Sequence, residues 1–279
     1  MQQATLNSVV FFEGIGTHSG KVNRISVAPS PENTFITFGN KENRAIAKID
    51  NVRETEMCTK LLIQDDWSIS TVEHILAAFY GLGITNALIE VEGDEIPTLD
   101  GSSVKFIESF LVAGIKEQSA KAKILRILKP VTINDGEKWA SLLPSDSLII
   151  DIKCDYTSKG LKSDPISFVF TKDDFIKEIS SARTFGFFSD VEFLRKNGLA
   201  LGASLDNTVV FNDVGLPINE EGLRFPNEPI RHKILDAIGD LSLAGCRIMA
   251  KFESFCPNHK MNNMVLKALF SDPNNYEIL

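Results

Sequence analysis

ISTVEHILAAFYGLGITNALIEVEGDEIPTLDGS (69–102) sets the pattern from which the fold can be read. Residues 70–80 have the apolar density of a helix. Ser70 is placed to cap it, and Glu73 three positions later completes a capping box. Gly81 and Gly83 end the helix. A strand follows over 86–91, with a turn at 92–95. Residues 103–113 form a second helix, with Phe106, Ile107, Phe110 and Leu111 at helical spacing.

Short β-like runs flank this stretch on the N-terminal side, at 8–12, 24–28 and 34–38. The polar segment 116–124, KEQSAKAKI, has few large apolar side chains and is expected to be a linker. Beyond it the pattern restarts, with strands at 124–127, 147–152 and 166–170. Helices follow at 172–179, 190–197, 229–243 and 261–270. The tail SDPNNYEIL is expected to be a surface end. Strands and helices mix in similar order in both halves. The expected class is α+β, with two domains of related architecture, 1–118 and 124–279, each a sheet packed against helices.

Composition narrows the function. The 279 residues are 43% hydrophobic and 24% charged, an ordinary globular balance that can bury a large core. The net charge of −8 argues against a general nucleic-acid binder, which needs a basic face. Cys58, Cys154, Cys246 and Cys256 form no CxxC pair and read as reduced, buried thiols. The N-terminus has no signal-peptide pattern, and no apolar run reaches the ~20 residues of a membrane span. The expectation is a soluble cytoplasmic monomer, with at most peripheral membrane association.

Only four histidines occur: His18, His74, His232 and His259. In the 229–243 helix, Ile230, Ile234, Leu235, Ile238 and Leu241 share one face. His232, Asp236 and Asp240 lie on the other at i, i+4 and i+8. That face is either a solvated surface with an incidental His/Asp pair or part of a metal site. Glu73 and His74 have the same two readings: a cap acid beside a surface histidine, or a proton carrier beside a ligand. A catalytic zinc needs about three protein ligands and an open position, which His74, His232 and Asp236 would supply. HExxH is absent. His259, in PNHKMNN, is either a turn residue or a general acid near its natural pKa. Lys233 and Thr184 have bland readings as a surface lysine and a strand threonine. GIGTHSG (14–20) lacks the spacing of a nucleotide loop and reads as a tight turn presenting His18.

Together these motifs resemble the UDP-3-O-acyl-N-acetylglucosamine deacetylases, which commit Gram-negative bacteria to lipid A and so to lipopolysaccharide. The resemblance runs through GIGTHSG (14–20), the 69–102 stretch, SARTFGF (181–187), GLRFPNEPIRHKILDAIGDL (222–241) and HKMNN (259–263). It implies a Zn2+-dependent hydrolase that removes the N-acetyl group of a UDP-linked 3-O-acylated amino sugar. It implies His74, His232 and Asp236 as metal ligands and Glu73 as general base. His259 would be general acid or electrostatic stabiliser, paired with Asp240. Thr184 would stabilise the oxyanion, Lys233 would contact substrate, and Phe185 would lie against the sugar. A β-α-β insert near 185–207 would form an acyl passage, lined by Phe187, Phe188, Phe193, Leu194, Leu199, Leu201 and Ala203. Thr17, Asn258 and Met261 depart from the usual leucine, glycine and leucine. Asparagine at 258 is the least costly replacement if that glycine holds a positive φ.

Overall fold

The computed structural model describes residues 1–161 and 164–279. The first half contains β1 (Gln2–Leu6), β2 (Val10–Ile15), β3 (Val22–Pro29), β4 (Ile36–Gly39), β5 (Arg44–Ile46), β6 (Val52–Glu54), β7 (Lys60–Gln64) and β8 (Trp67–Ile69). Helix α1 (Glu73–Leu82), β9 (Ala87–Glu92), α2 (Val104–Ala113) and β10 (Ile115–Lys121) follow. The main sheet here has order β2-β3-β9-β4-β5, with β4 and β9 parallel. A second sheet of β6-β7-β8 and a β1/β10 pair complete this half.

The second half contains β11 (Ile124–Ile127), β12 (Val131–Asp135), β13 (Lys138–Pro144), β14 (Ile149–Lys153), β15 (Ile166–Val169), α3 (Lys172–Asp174), β16 (Phe185–Phe187), α4 (Val191–Lys196), β17 (Val209–Phe211), α5 (Glu228–Leu241), β18 (Arg247–Phe255), α6 (His259–Phe270) and β19 (Tyr276–Ile278). Central strand β18 alternates strictly, burying Ile248, Ala250, Phe252 and Ser254. It pairs antiparallel with β13 and parallel with β11 and β14. Among the described residues, several sheets against six α-helices make the fold α+β.

Three local expectations change. The segment 116–124 is mostly strand β10, laddered to β1, because its backbone groups pair even though its side chains are polar. The C-terminal tail lies at the surface, and within it β19 pairs with β11. Helix α1 begins at Glu73 and has no side-chain cap, since Ser70 instead bridges to Glu95 in the extended region before it. Gly83, at φ 76°, ends α1. Gly81 lies inside α1, where a Cβ would fall 2.2 Å from the Phe175 ring.

One contiguous core runs through both halves, with α1 as its hub. All ten residues of α1 are buried. Helix α5 packs across it, and both ends of the crossing are set by sequence. Ile234, Leu235 and Ile238 supply apolar surface. Gly239 lets the backbones meet, because a Cβ there would lie 2.1 Å from the Glu73 carbonyl oxygen. Gly239→Ala should therefore force α1 and α5 apart, at a cost of about 1–3 kcal/mol for overpacking. Chemical denaturation should show that loss; an unchanged midpoint and slope would contradict this account of the crossing.

Candidate active site

The α1–α5 crossing brings three sequence-predicted residues together from positions far apart in the chain. His74 leaves the first turn of α1, and His232 and Asp236 leave the middle of α5. All three are at most 5% exposed. His232 Nε2 lies 3.2 Å and His74 Nε2 3.6 Å from Asp236 Oδ1. The three donor atoms fall within 4.8 Å of one another. The solvated-face reading of α5 fails, because its polar side is as buried as its apolar side.

The donor set fits a cation. Donors around a tetrahedral zinc, at bonds of ~2.0–2.2 Å, stand roughly 3.3 Å apart. His232 Nδ1 lies 3.0 Å from the Ala182 carbonyl oxygen. That acceptor fixes the proton on Nδ1 and leaves the Nε2 lone pair facing inward. Burial pushes the His74 pKa down, so its imidazole is neutral. Burial would raise Asp236, but His232 and Lys233 outweigh it and hold the carboxyl well below the usual range. Its Oδ2 accepts from Lys233 Nζ at 2.9 Å, while Oδ1 is buried with no hydrogen-bond partner. An orphaned carboxylate oxygen facing two imidazole nitrogens is costly unless a cation completes it. Of the three buried carboxylates here, Asp236 pairs with Lys233 and Asp240 with His259, while Glu73 has no such close ion pair.

Glu73 and His259 form the other side of the site. Glu73 is 2% exposed. It is not a cap acid: Oε2 accepts from the Thr59 backbone N–H at 3.1 Å, and Oε1 faces His259 Nε2 at 3.7 Å. Burial raises Glu73 to about 8, with His259 opposing and Asp240 and Asp236 reinforcing. His259 Nδ1 sits 2.8 Å from Asp240 Oδ2. Burial disfavours its charged ring, but Asp240 and then Glu73 outweigh it and raise the pKa to about 10. His259 is therefore held in its protonated form through neutral pH.

Asp240 is fully engaged, also accepting from Thr59 Oγ1 at 2.6 Å and Asn262 Nδ2 at 2.8 Å. Asn258 has φ −144°, so its position needs no left-handed residue. It caps α6 instead, its Oδ1 accepting from Met261 N at 2.9 Å. Glycine cannot provide that bond, and asparagine holds His259 at the helix start.

A cavity of about 1240 Å3 opens over these groups. Thr184, Phe185 and Lys233 line it beside His74, His232 and Asp236. The Phe185 ring packs edge-on to His232, with centroids 6.4 Å apart. Lys233 Nζ lies 5.7 Å from the Phe185 centroid while it binds Asp236. Buried Arg183 anchors this wall: its Nε donates to Glu228 Oε1 at 2.9 Å, at the start of α5.

The apolar arm of the cavity lies in a β-α-β unit in which β16 and β17 are parallel. The unit runs to Phe211, four residues beyond the expected 207, because the return strand is β17. Phe187, Phe188, Phe193, Leu194 and Ala203 line the arm as expected. Leu199 and Leu201 do not. Leu201 lies against Gly20 of the N-terminal loop, where its N–H donates to the His18 carbonyl at 3.3 Å. Val191, Val210 and Ile218 take part instead. Sequence reasoning missed these, as it missed Thr59. Thr59 binds Glu73 with its backbone and Asp240 with its hydroxyl, and no motif spacing marks it.

Known proteins align with this arrangement over its whole length. The family model described as UDP-3-O-acyl N-acetylglycosamine deacetylase matches residues 3–271. A UDP-3-O-acyl-N-acetylglucosamine deacetylase of Idiomarina loihiensis is 42% identical over 285 aligned positions, covering 100% of this chain and 93% of the relative. One from Shewanella oneidensis is 42% identical, covering 99% and 92%, and one from Histophilus somni 41%, covering 100% and 93%.

The buried pair gives a direct test. The folded His259 pKa lies above its free value, so its pairing stabilises the fold below pH ~6.5 and is lost as pH rises through about 10. In metal-free protein, NMR of the His259 ring should show the imidazolium persisting well past neutrality. Asp240→Asn should bring the titration down sharply. Deprotonation of wild type near pH 6–7 would contradict the pairing.

Proposed function

The chain belongs to the UDP-3-O-acyl N-acetylglycosamine deacetylase family, and we propose that its cleft hydrolyses the N-acetyl group of UDP-3-O-(3-hydroxyacyl)-N-acetylglucosamine on a zinc ion held by His74, His232 and Asp236. The products are acetate and the free amine, and the reaction is the committed step of lipid A biosynthesis. The observation that carries this reading is the convergence of two imidazoles and an unsatisfied carboxylate oxygen on one point beside Glu73. Two histidines and a carboxylate with room for water are a catalytic zinc pattern.

When bound, the cation supplies Lewis acidity, lowering the pKa of a water towards ~7 and polarising the amide carbonyl. Glu73 accepts the proton of the attacking water. Positive charge at the neighbouring cluster favours its carboxylate form and opposes the rise that burial imposes. Thr184 donates to the oxygen on which negative charge develops. His259, kept protonated by Asp240, delivers a proton to the departing amine or stabilises the charge that forms as it leaves. Lys233 keeps Asp236 ionised and presents its remaining N–H donors to the substrate. Phe185 lies against the sugar, and the arm lined by Phe187, Leu194 and Ala203 takes the acyl chain.

Acetate release from this substrate should vanish on chelation and return with stoichiometric zinc. Activity that survives complete removal of metal would overturn the metal assignment. Glu73→Ala should lower kcat about 100- to 10,000-fold with metal content retained, the range for loss of a general base. A rate near wild type would remove Glu73 from that role. Ala203→Trp should slow only substrates with a long acyl chain; an equal loss with a truncated substrate would contradict the passage. Position 202 cannot serve in that test, because a Cβ there would strike the Gly16 carbonyl oxygen at 2.2 Å.

A further inference from the structure

Two cysteines lie where the central strands of the second half end. Cys154 follows β14 and Cys256 follows β18. These strands are parallel, and their last register pair is Lys153 with Phe255, so the cysteines are the next pair along. The Cys256 N–H donates to the Lys153 carbonyl oxygen at 2.8 Å, which carries the ladder up to them. Adjacent strands stand about 4.8 Å apart, within the ~4.4–6.8 Å between Cα atoms that a disulfide spans. The thiols are hydrogen-bond partners. Cys256 is half-buried and can meet a small oxidant, while Cys154 is buried behind it.

The surroundings divide the roles of the two sulfurs. Cys256 is lowered to about 6, first by the Cys154 thiol, against burial, and then by the Asp155 N–H and Lys138. The Asp155 N–H reaches its Sγ at 3.2 Å. Cys154 is pushed up by the same contact and by burial, so it keeps its proton. Cys246 and Cys58 are both raised by burial, the latter to about 12. Cys256 also holds φ 50°, a left-handed conformation costly for a residue with a side chain.

From this juxtaposition we infer that Cys154 and Cys256 form a redox-active dithiol that closes to a disulfide in the presence of a peroxide. The Cys256 thiolate attacks one peroxide oxygen, forming a sulfenic acid and releasing hydroxide. The Cys154 thiol then attacks that sulfur and displaces water as the S–S bond forms, its proton leaving with the water. The two thiols lose two electrons and hydrogen peroxide gains them. A dithiol reductant reverses the step by exchange.

The pair adjoins segments that reach both walls of the cleft. Tyr156, two residues after Cys154, packs on Phe185 and Phe187 with centroids 5.6 and 5.8 Å apart. Cys256 opens the three-residue segment that leads to His259. A bridge ties these two segments together.

The test uses the metal-loaded full chain. After hydrogen peroxide treatment of the folded protein, non-reducing peptide mapping should find a Cys154–Cys256 bridge. Dithiothreitol should remove it, and Cys154→Ser or Cys256→Ser should abolish it. At pH 7, iodoacetamide should modify Cys256 roughly tenfold faster than Cys246, in line with its greater thiolate fraction. Peroxide that leaves both thiols unbridged, takes Cys256 to sulfinic acid alone, or bridges them only after unfolding would overturn the inference. Each readout is independent of turnover, so a failed deacetylase assignment would not be mistaken for failure of the thiol pair.

Discussion

Gly239 of α5 rests against the Glu73 carbonyl of α1, and the two helices cannot cross this closely with any larger residue there. That contact lies one helical turn from Asp236 and one residue from His74. It joins two parts of the chain more than 150 residues apart, so that His74 meets His232 and Asp236 over a few ångströms. Glu73 and Asp240 flank the same contact. The second carboxylate and His259 then follow from α6 packing on α5. The site is a product of core packing rather than of loops, which gives it the rigidity that preorganised chemistry needs.

Such a site is expensive to bury. Glu73, Asp236, Asp240, His259 and Lys233 sit in or beside a low-dielectric core, where an isolated charge costs several kcal/mol. The structure offsets this by pairing nearly every polar atom. Asp240 accepts three hydrogen bonds, Lys233 holds Asp236, and Thr59 ties Glu73 to Asp240. Asp236 Oδ1 is buried without a partner, and it faces the two imidazoles. Without a cation, burial raises Glu73 to about 8, with Asp240 and Asp236 adding to the rise and His259 opposing it. With one, the same carboxylate can ionise and act as a base. Metal binding and the proton carrier are thus coupled through a single electrostatic balance.

Much of this was legible in the chain. The period of 230–241 gave both faces of α5, and the helix–strand order of 69–102 gave α1 and β9. Helical spacing linked His232 to Asp236, but only motif resemblance linked His74 to them, because no local pattern encodes a crossing of distant helices. The same limit explains the errors. Strand β10 looked like a linker because its partner β1 lies more than 100 residues away. Ser70 and Glu73 matched a capping box locally, yet tertiary contacts drew both elsewhere. Leu201 matched an apolar passage by composition, but packing turned it towards Gly20. Thr59 carries no chemical signature except its position between two carboxylates.

X-ray absorption at the metal edge of the purified protein addresses the centre most directly, because it reads the donor atoms themselves. The account predicts a zinc edge with a shell of only nitrogen and oxygen at ~2.0–2.2 Å and the multiple scattering of two imidazoles. A shell containing sulfur at ~2.3 Å, or one lacking imidazole scattering, would contradict it.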